Sequence, residues 1–67
     1  MFKVIVLACA IADPSVCYEY HDTRGPYPEY RYCAPRAYEM GNAILEINEG
    51  KLRPTAFKCV PLKGLEL

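Results

Sequence analysis

FKVIVLACAIADPSVCYEYHD, residues 2 to 22, decides how this chain folds. Residues 2 to 11 are apolar on both alternating sets: Phe2, Val4, Val6 and Ala8 on one side, Ile5, Leu7, Cys9 and Ile11 on the other. A run apolar on both faces predicts a central strand covered on two sides. Ala12-Asp13-Pro14-Ser15 then supplies turn chemistry, because Pro fixes the φ that the second position of a type I turn requires. Residues 16 to 22 set Tyr18 and Tyr20 against Cys17, Glu19 and His21 and read as a returning strand. A hairpin centred near Asp13 brings Val6 opposite Tyr20, Ala8 opposite Tyr18 and Cys9 opposite Cys17, with aromatic rings beside β-branched or small residues. That Tyr face is the expected core face. One long strand bulged at Asp13-Pro14 is the alternative.

Downstream, TRGPYPEYRY, residues 23 to 32, carries Gly25, Pro26 and Pro28, shows no usable period, and reads as a loop. A helix is expected over 34 to 49, since Pro35 is tolerated in a first turn where its missing donor costs nothing. Ala37, Met40, Ile44 and Ile47 form its buried stripe, with Leu45 beside it. Gly50 suits a left-handed cap. Gly41 weakens the helix by roughly 1 kcal/mol relative to Ala, which tight backbone packing at that point would justify. Residues 52 to 60 read as a third strand, confined by Pro54 to an edge or to its own start. In the tail, 61 to 67, only Leu62, Leu65 and Leu67 offer anchorage. The expected fold is therefore a single α+β domain, β-β-α-β, with a small three-stranded, mostly antiparallel sheet and one helix packed on it. One helix covers one face. The second apolar face of the first strand must then meet the tail, the Tyr-rich loop or another subunit.

A chain of 67 residues buries only about 60% of its unfolded surface, so stability depends on staples. Apolar residues are 52% of the chain and charged residues 24%, a globular composition. Eight basic residues balance eight acidic ones, which argues against nucleic acid as partner, because such affinity comes from clustered Lys and Arg on phosphates. The apolar run is too short for a bilayer span of about 20 residues, and it lacks the length and charged region of a secretory signal. Cys9, Cys17, Cys33 and Cys59 read first as two disulfides, each contributing about 2 to 4 kcal/mol. The hairpin pairs Cys9 with Cys17 and leaves Cys33 for Cys59; the long-strand alternative pairs Cys17 with Cys33 and Cys9 with Cys59. No two cysteines have the close spacing usual for zinc, and no C-x-x-C motif exists to tune a thiolate. A four-cysteine zinc site and four reduced thiols are the remaining alternatives. His21 and Asp22 point to opposite faces as strand neighbours and make a poor acid-base pair. No enzyme activity and no cofactor are expected.

GPYPEYRYCAPRAY, residues 25 to 38, interleaves Tyr27, Tyr30, Tyr32 and Tyr38 with Arg31 and Arg36. These are the residue types that carry interface hot spots, and prolines would hold them preorganised. Rings laid over a sheet too small to bury itself are the structural reading of the same residues. Cys9, Ala12-Asp13-Pro14, Cys17, Cys33, the following helix and Cys59 together resemble short uncharacterised proteins of alphaproteobacteria and their phages. The resemblance spans most of the chain and brings no activity with it. It implies a phage or bacterial setting, in which a compact non-enzymatic chain is often a virion accessory or a small host-directed binder; the two-faced apolar strand and the Tyr/Arg loop favour a virion accessory of the capsid decoration or cement type. Such a protein would meet itself or a capsid protein, as a homo-oligomer or part of a larger assembly, in a virion or other oxidising place. A small host-directed regulator in the cytoplasm, binding one protein through the Tyr loop, is the alternative.

Overall fold

The computed structural model describes residues 1 to 62; the expected anchors Leu65 and Leu67 lie outside them. Strands β1 (Phe2–Ala10), β2 (Cys17–His21) and β3 (Leu52–Pro61) form an antiparallel sheet in the order β2-β1-β3, and helix α1 (Cys33–Ile47) packs on β1 and β3. The strand apolar on both faces is the central one. Its hairpin with β2 has the register read from the turn: Val6 faces Tyr20, Ala8 faces Tyr18, and Cys9 faces Cys17. Asp13 makes that turn. Its carbonyl accepts from the Val16 N–H at 2.9 Å, while its carboxylate accepts from the Ser15 hydroxyl at 2.7 Å and the Ser15 N–H at 3.1 Å. The long-strand alternative is thereby replaced by a hairpin.

Both disulfides follow from this topology. Cys9–Cys17 closes the hairpin across the strands, and Cys33–Cys59 ties the start of α1 to β3. Paired sulfurs leave no thiolate for a four-cysteine zinc site and correct that alternative, as they do the reading of four reduced thiols.

The core comprises Val4, Val6 and Ala8 from β1 with Cys33, Ala37, Met40 and Ile44 from α1; Phe2, Tyr20, Tyr27, Leu52 and Cys59 pack around it. The Tyr face is the core face, as expected. Because α1 lies over β1 and β3, Tyr20 reaches the core while Tyr18, further along β2, stays exposed. Ile47 departs from the expected stripe: it is 79% exposed, since the last helical turn overhangs a cluster whose helical members end at Ile44. Gly41 has the expected justification. A Cβ there would lie 3.3 Å from Cγ of Pro54, so the bare glycine lets α1 settle against β3.

Residues 23 to 32 are more ordered than their composition implied. Tyr27 pairs with Phe2 through two backbone hydrogen bonds of 2.7 and 2.9 Å, and Tyr30–Tyr32 form a 3-10 turn that runs straight into α1. Gly25 is obligatory here: its φ is +85°, and a Cβ would meet the Tyr27 ring at 3.0 Å. At its other end α1 stops at Ile47, two residues before the expected limit. Glu49 and Gly50 both adopt positive φ, and the Gly50 N–H returns to the Leu45 carbonyl at 2.8 Å.

Candidate functional site

Three environments receive the six residues of the Tyr/Arg stretch. The first is an internal strut. Asp22, one residue past β2, has a fully buried side chain, and Arg36 grips it with Nε to Oδ2 at 3.1 Å and Nη2 to Oδ1 at 2.9 Å. The Tyr27 hydroxyl donates to the same carboxylate at 2.7 Å, and the Arg24 N–H adds 2.9 Å. Burial alone would raise the Asp22 pKa; the hydrogen bonds from Arg36, Tyr27 and Arg24 outweigh it and hold the carboxyl at about 2. The bonds to Asp22 push the Arg36 guanidinium above its ordinary value, and burial followed by the bond to Asp22 pushes the Tyr27 hydroxyl up. Arg36 also reaches Glu39 at 3.3 Å. Its side chain is only 16% exposed, so its charge ties the loop, the helix and the end of β2 together.

The second environment is a surface. Tyr30 and Tyr32 are 64% and 43% exposed, on the turn preceding α1. Arg31 stands between them, paired with Glu29 at 2.7 Å and stacked 5.4 Å from the centre of the Tyr32 ring. Tyr30 meets Phe2 edge to face at 5.8 Å between centroids, which fixes the ring's orientation without hiding it. The turn is a short, rigid aromatic and cationic ledge.

Tyr38 belongs to neither group. It is 72% exposed and stands on the flank of α1 that faces β3, where Ala37, Gly41, Pro54 and Phe57 join it in a groove of about 300 Å³. Sequence reading missed this groove, although two signals bear on it: a glycine inside a helix and a proline in an edge strand.

The sheet face opposite α1 carries the second apolar row. Ile5 and Leu7 are half-buried there, between Lys58 and Ala56 of β3 and His21 and Glu19 of β2. His21 meets Glu19 at 3.4 Å on this face, away from buried Asp22, so the two sequence neighbours share no chemistry. Thr55 is the extra residue where β3 bulges; its hydroxyl donates to the Leu7 carbonyl at 3.3 Å. Among the described residues no group of His, Cys, Asp and Glu could hold a metal ion, and no helix is long and apolar enough to cross a membrane. Two disulfides fit an oxidising setting. Comparison with protein-family models, with curated proteins and with solved structures found no match for this chain.

Proposed function

We propose that this is a non-enzymatic, disulfide-stapled interaction protein that docks on a protein assembly, and that the assembly is a virion surface of the capsid decoration or cement type. The observation that carries the reading is the Tyr30-Arg31-Tyr32 ledge. Two aromatic rings and a guanidinium stand exposed on a turn anchored at one end by α1 and at the other by the Phe2–Tyr27 pairing. Rigid, amphipathic side chains of these types lose little entropy on binding and dominate interface energetics. The strongly perturbed polar groups, Asp22 and Arg36, are engaged with each other. The half-covered row of Ile5 and Leu7 supplies a second, apolar contact face, suited to self-association within a lattice of copies. Disulfides support a particle that must persist outside a reducing cell.

The test is made on purified virions from the source of the chain. They should contain the protein, with none of its cysteines open to alkylation before reduction. Replacing Tyr30 and Tyr32 by Ala should abolish rebinding to stripped particles while leaving the fold intact by circular dichroism. A chain found only in the cell, monomeric and with four alkylatable thiols, overturns the reading and favours a cytoplasmic regulator that uses the same ledge.

A further inference from the structure

We infer that the groove between α1 and the outer edge of β3 takes an extended peptide as a fourth strand, with an apolar side chain facing the helix and acidic side chains on the opposite sheet face. This surface is separate from the Tyr30-Arg31-Tyr32 ledge and goes beyond the function proposed for it.

Backbone hydrogen bonding among the described residues establishes which groups of β3 are free. Even-numbered residues of β1 bond toward β2: Phe2 exchanges bonds with Tyr27, the Asp22 N–H reaches the Val4 carbonyl, and the Ala10 N–H reaches that of Val16. The odd-numbered ones bond toward β3, as the Ile11 N–H does to the Lys51 carbonyl. The register pairs Ile5 with Lys58 and Leu7 with Ala56, so those residues of β3 point inward. Phe57 and Cys59, opposite Val6 and Val4, therefore turn their N–H and C=O groups outward. Pro54 and Pro61, opposite Ala8 and Phe2, occupy outward positions with no N–H to offer. The edge is closed at both ends and open in the middle. Prolines at both ends suppress indiscriminate edge pairing, while the open Phe57–Cys59 step admits one short guest.

Side-chain chemistry then selects the guest. A residue opposite Phe57 would turn toward α1 and enter the groove beneath Tyr38, whose volume of about 300 Å³ suits one aliphatic or aromatic side chain. On the other face, β3 presents Arg53 and Lys58 beside Cys9 and Ile5, with no acidic residue on the strand and no carboxylate partner for either among the described residues. Acidic residues at the neighbouring guest positions would complement them. A second copy of β3 would instead bring two pairs of basic residues onto one face, which disfavours self-pairing at this edge. Strand addition of this kind draws affinity from main-chain bonds and specificity from pockets for alternate side chains.

The probe is a blocked heptapeptide of alternating glutamate and valine, titrated into the oxidised, isotope-labelled protein. The amide resonances of Phe57 and Cys59 should shift and become protected from exchange. Replacing glutamate by lysine in the peptide should weaken binding about tenfold, and N-methylation of its valines should abolish it. Lys58→Glu, a surface change, should reverse the preference toward the lysine peptide. Equal binding of the N-methylated peptide, shifts confined to Ile5 and Leu7, or no shift at millimolar peptide each overturn the inference. Shifts of Phe57 and Cys59 that follow the protein's own concentration overturn it in favour of a second copy. None of these results touches the virion test of the Tyr ledge.

Discussion

Val4, Val6 and Ala8 alternate with Ile5, Leu7 and Cys9 along an unbroken apolar run of a single strand, yet the first set lies in the core and the second is half-covered. The difference lies in what each face meets. One face meets α1, whose Cys33, Ala37, Met40 and Ile44 close over it; the other is flanked by Lys58, His21, Glu19 and Arg53, whose stems shade the aliphatic row while their heads stay in water. Each face also carries one disulfide. Cys33–Cys59 lies in the dry layer beneath the helix, and Cys9–Cys17 at the end of the open one. In a domain this small, one helix can make one dry layer, and among the described residues the second face stays half-covered.

The staples give the largest test of that contrast. Cys33→Ala with Cys59→Ala releases partners 26 residues apart and removes a fully buried sulfur. The expected cost is about 4 kcal/mol. Cys9→Ala with Cys17→Ala opens a separation of only 8 residues, for about 2.5 kcal/mol on chain entropy. Urea midpoints of the two oxidised variants measure the gap; equal losses would break the contrast between the faces.

Next come single side chains. Ile44→Ala, under the helix, should cost about 3 kcal/mol, because a well-packed site cannot fully collapse. Leu7→Ala, on the open face, should cost about 1 kcal/mol, since water already reaches the residue. Thermal unfolding of both variants compares them directly, and a Leu7 loss as large as that of Ile44 would mean that the open face is covered by something in solution.

Acid tests the strut that joins the loop to the covered face. Asp22 titrates at about 2 in the folded protein against an ordinary 3.8, so its folded-state pKa is depressed. The stabilisation it contributes is present above the unfolded value and is lost as pH falls from 3.8 toward 2. The shift corresponds to about 2 kcal/mol. Denaturant midpoints at pH 5 and pH 2 should differ by that amount, and Asp22→Asn should be less stable at neutral pH with the acid step reduced. An unchanged acid step in that variant would remove Asp22 as its source.

The smallest effect sharpens the groove. Gly41→Ala gains about 1 kcal/mol of helix propensity but sets a methyl 3.3 Å from the Pro54 ring. On an edge strand that ring can yield by a few tenths of an ångström, so the net change should stay within about 0.5 kcal/mol. Gly41→Val, which cannot be accommodated so cheaply, should cost about 2 kcal/mol. Guanidinium titrations resolve the two.

Much of the fold was legible because short-range rules agree with one another. Asp13-Pro14-Ser15 makes a turn, the turn fixes parity, and parity places Cys9 against Cys17 and Tyr20 in the core. Less of the candidate site could be read. Asp22 and Arg36 are 14 residues apart in sequence, and no periodicity links a residue just past a strand to one on the flank of a helix. Arg36 and Tyr27 therefore looked like surface candidates equal to Tyr30 and Tyr32, although their polar groups are spent internally. Tyr38 looked like one more ring of the same cluster, whereas the rotation of α1 sets it over β3.

By itself the sequence determined what depends on local geometry: three strands, one helix, the core face and cysteine pairing that a hairpin at Asp13 imposes, and a third strand confined by Pro54 to an edge or to its own start. Only the tertiary structure decided how far each face of β1 is covered, which tyrosines stand exposed, where Arg36 spends its charge, and that, among the described residues, Phe57 and Cys59 leave an open edge beside a groove. Those properties depend on the angle and position at which α1 rests on the sheet. That placement is set by many weak contacts acting together, among them a missing Cβ at Gly41 against the ring of Pro54.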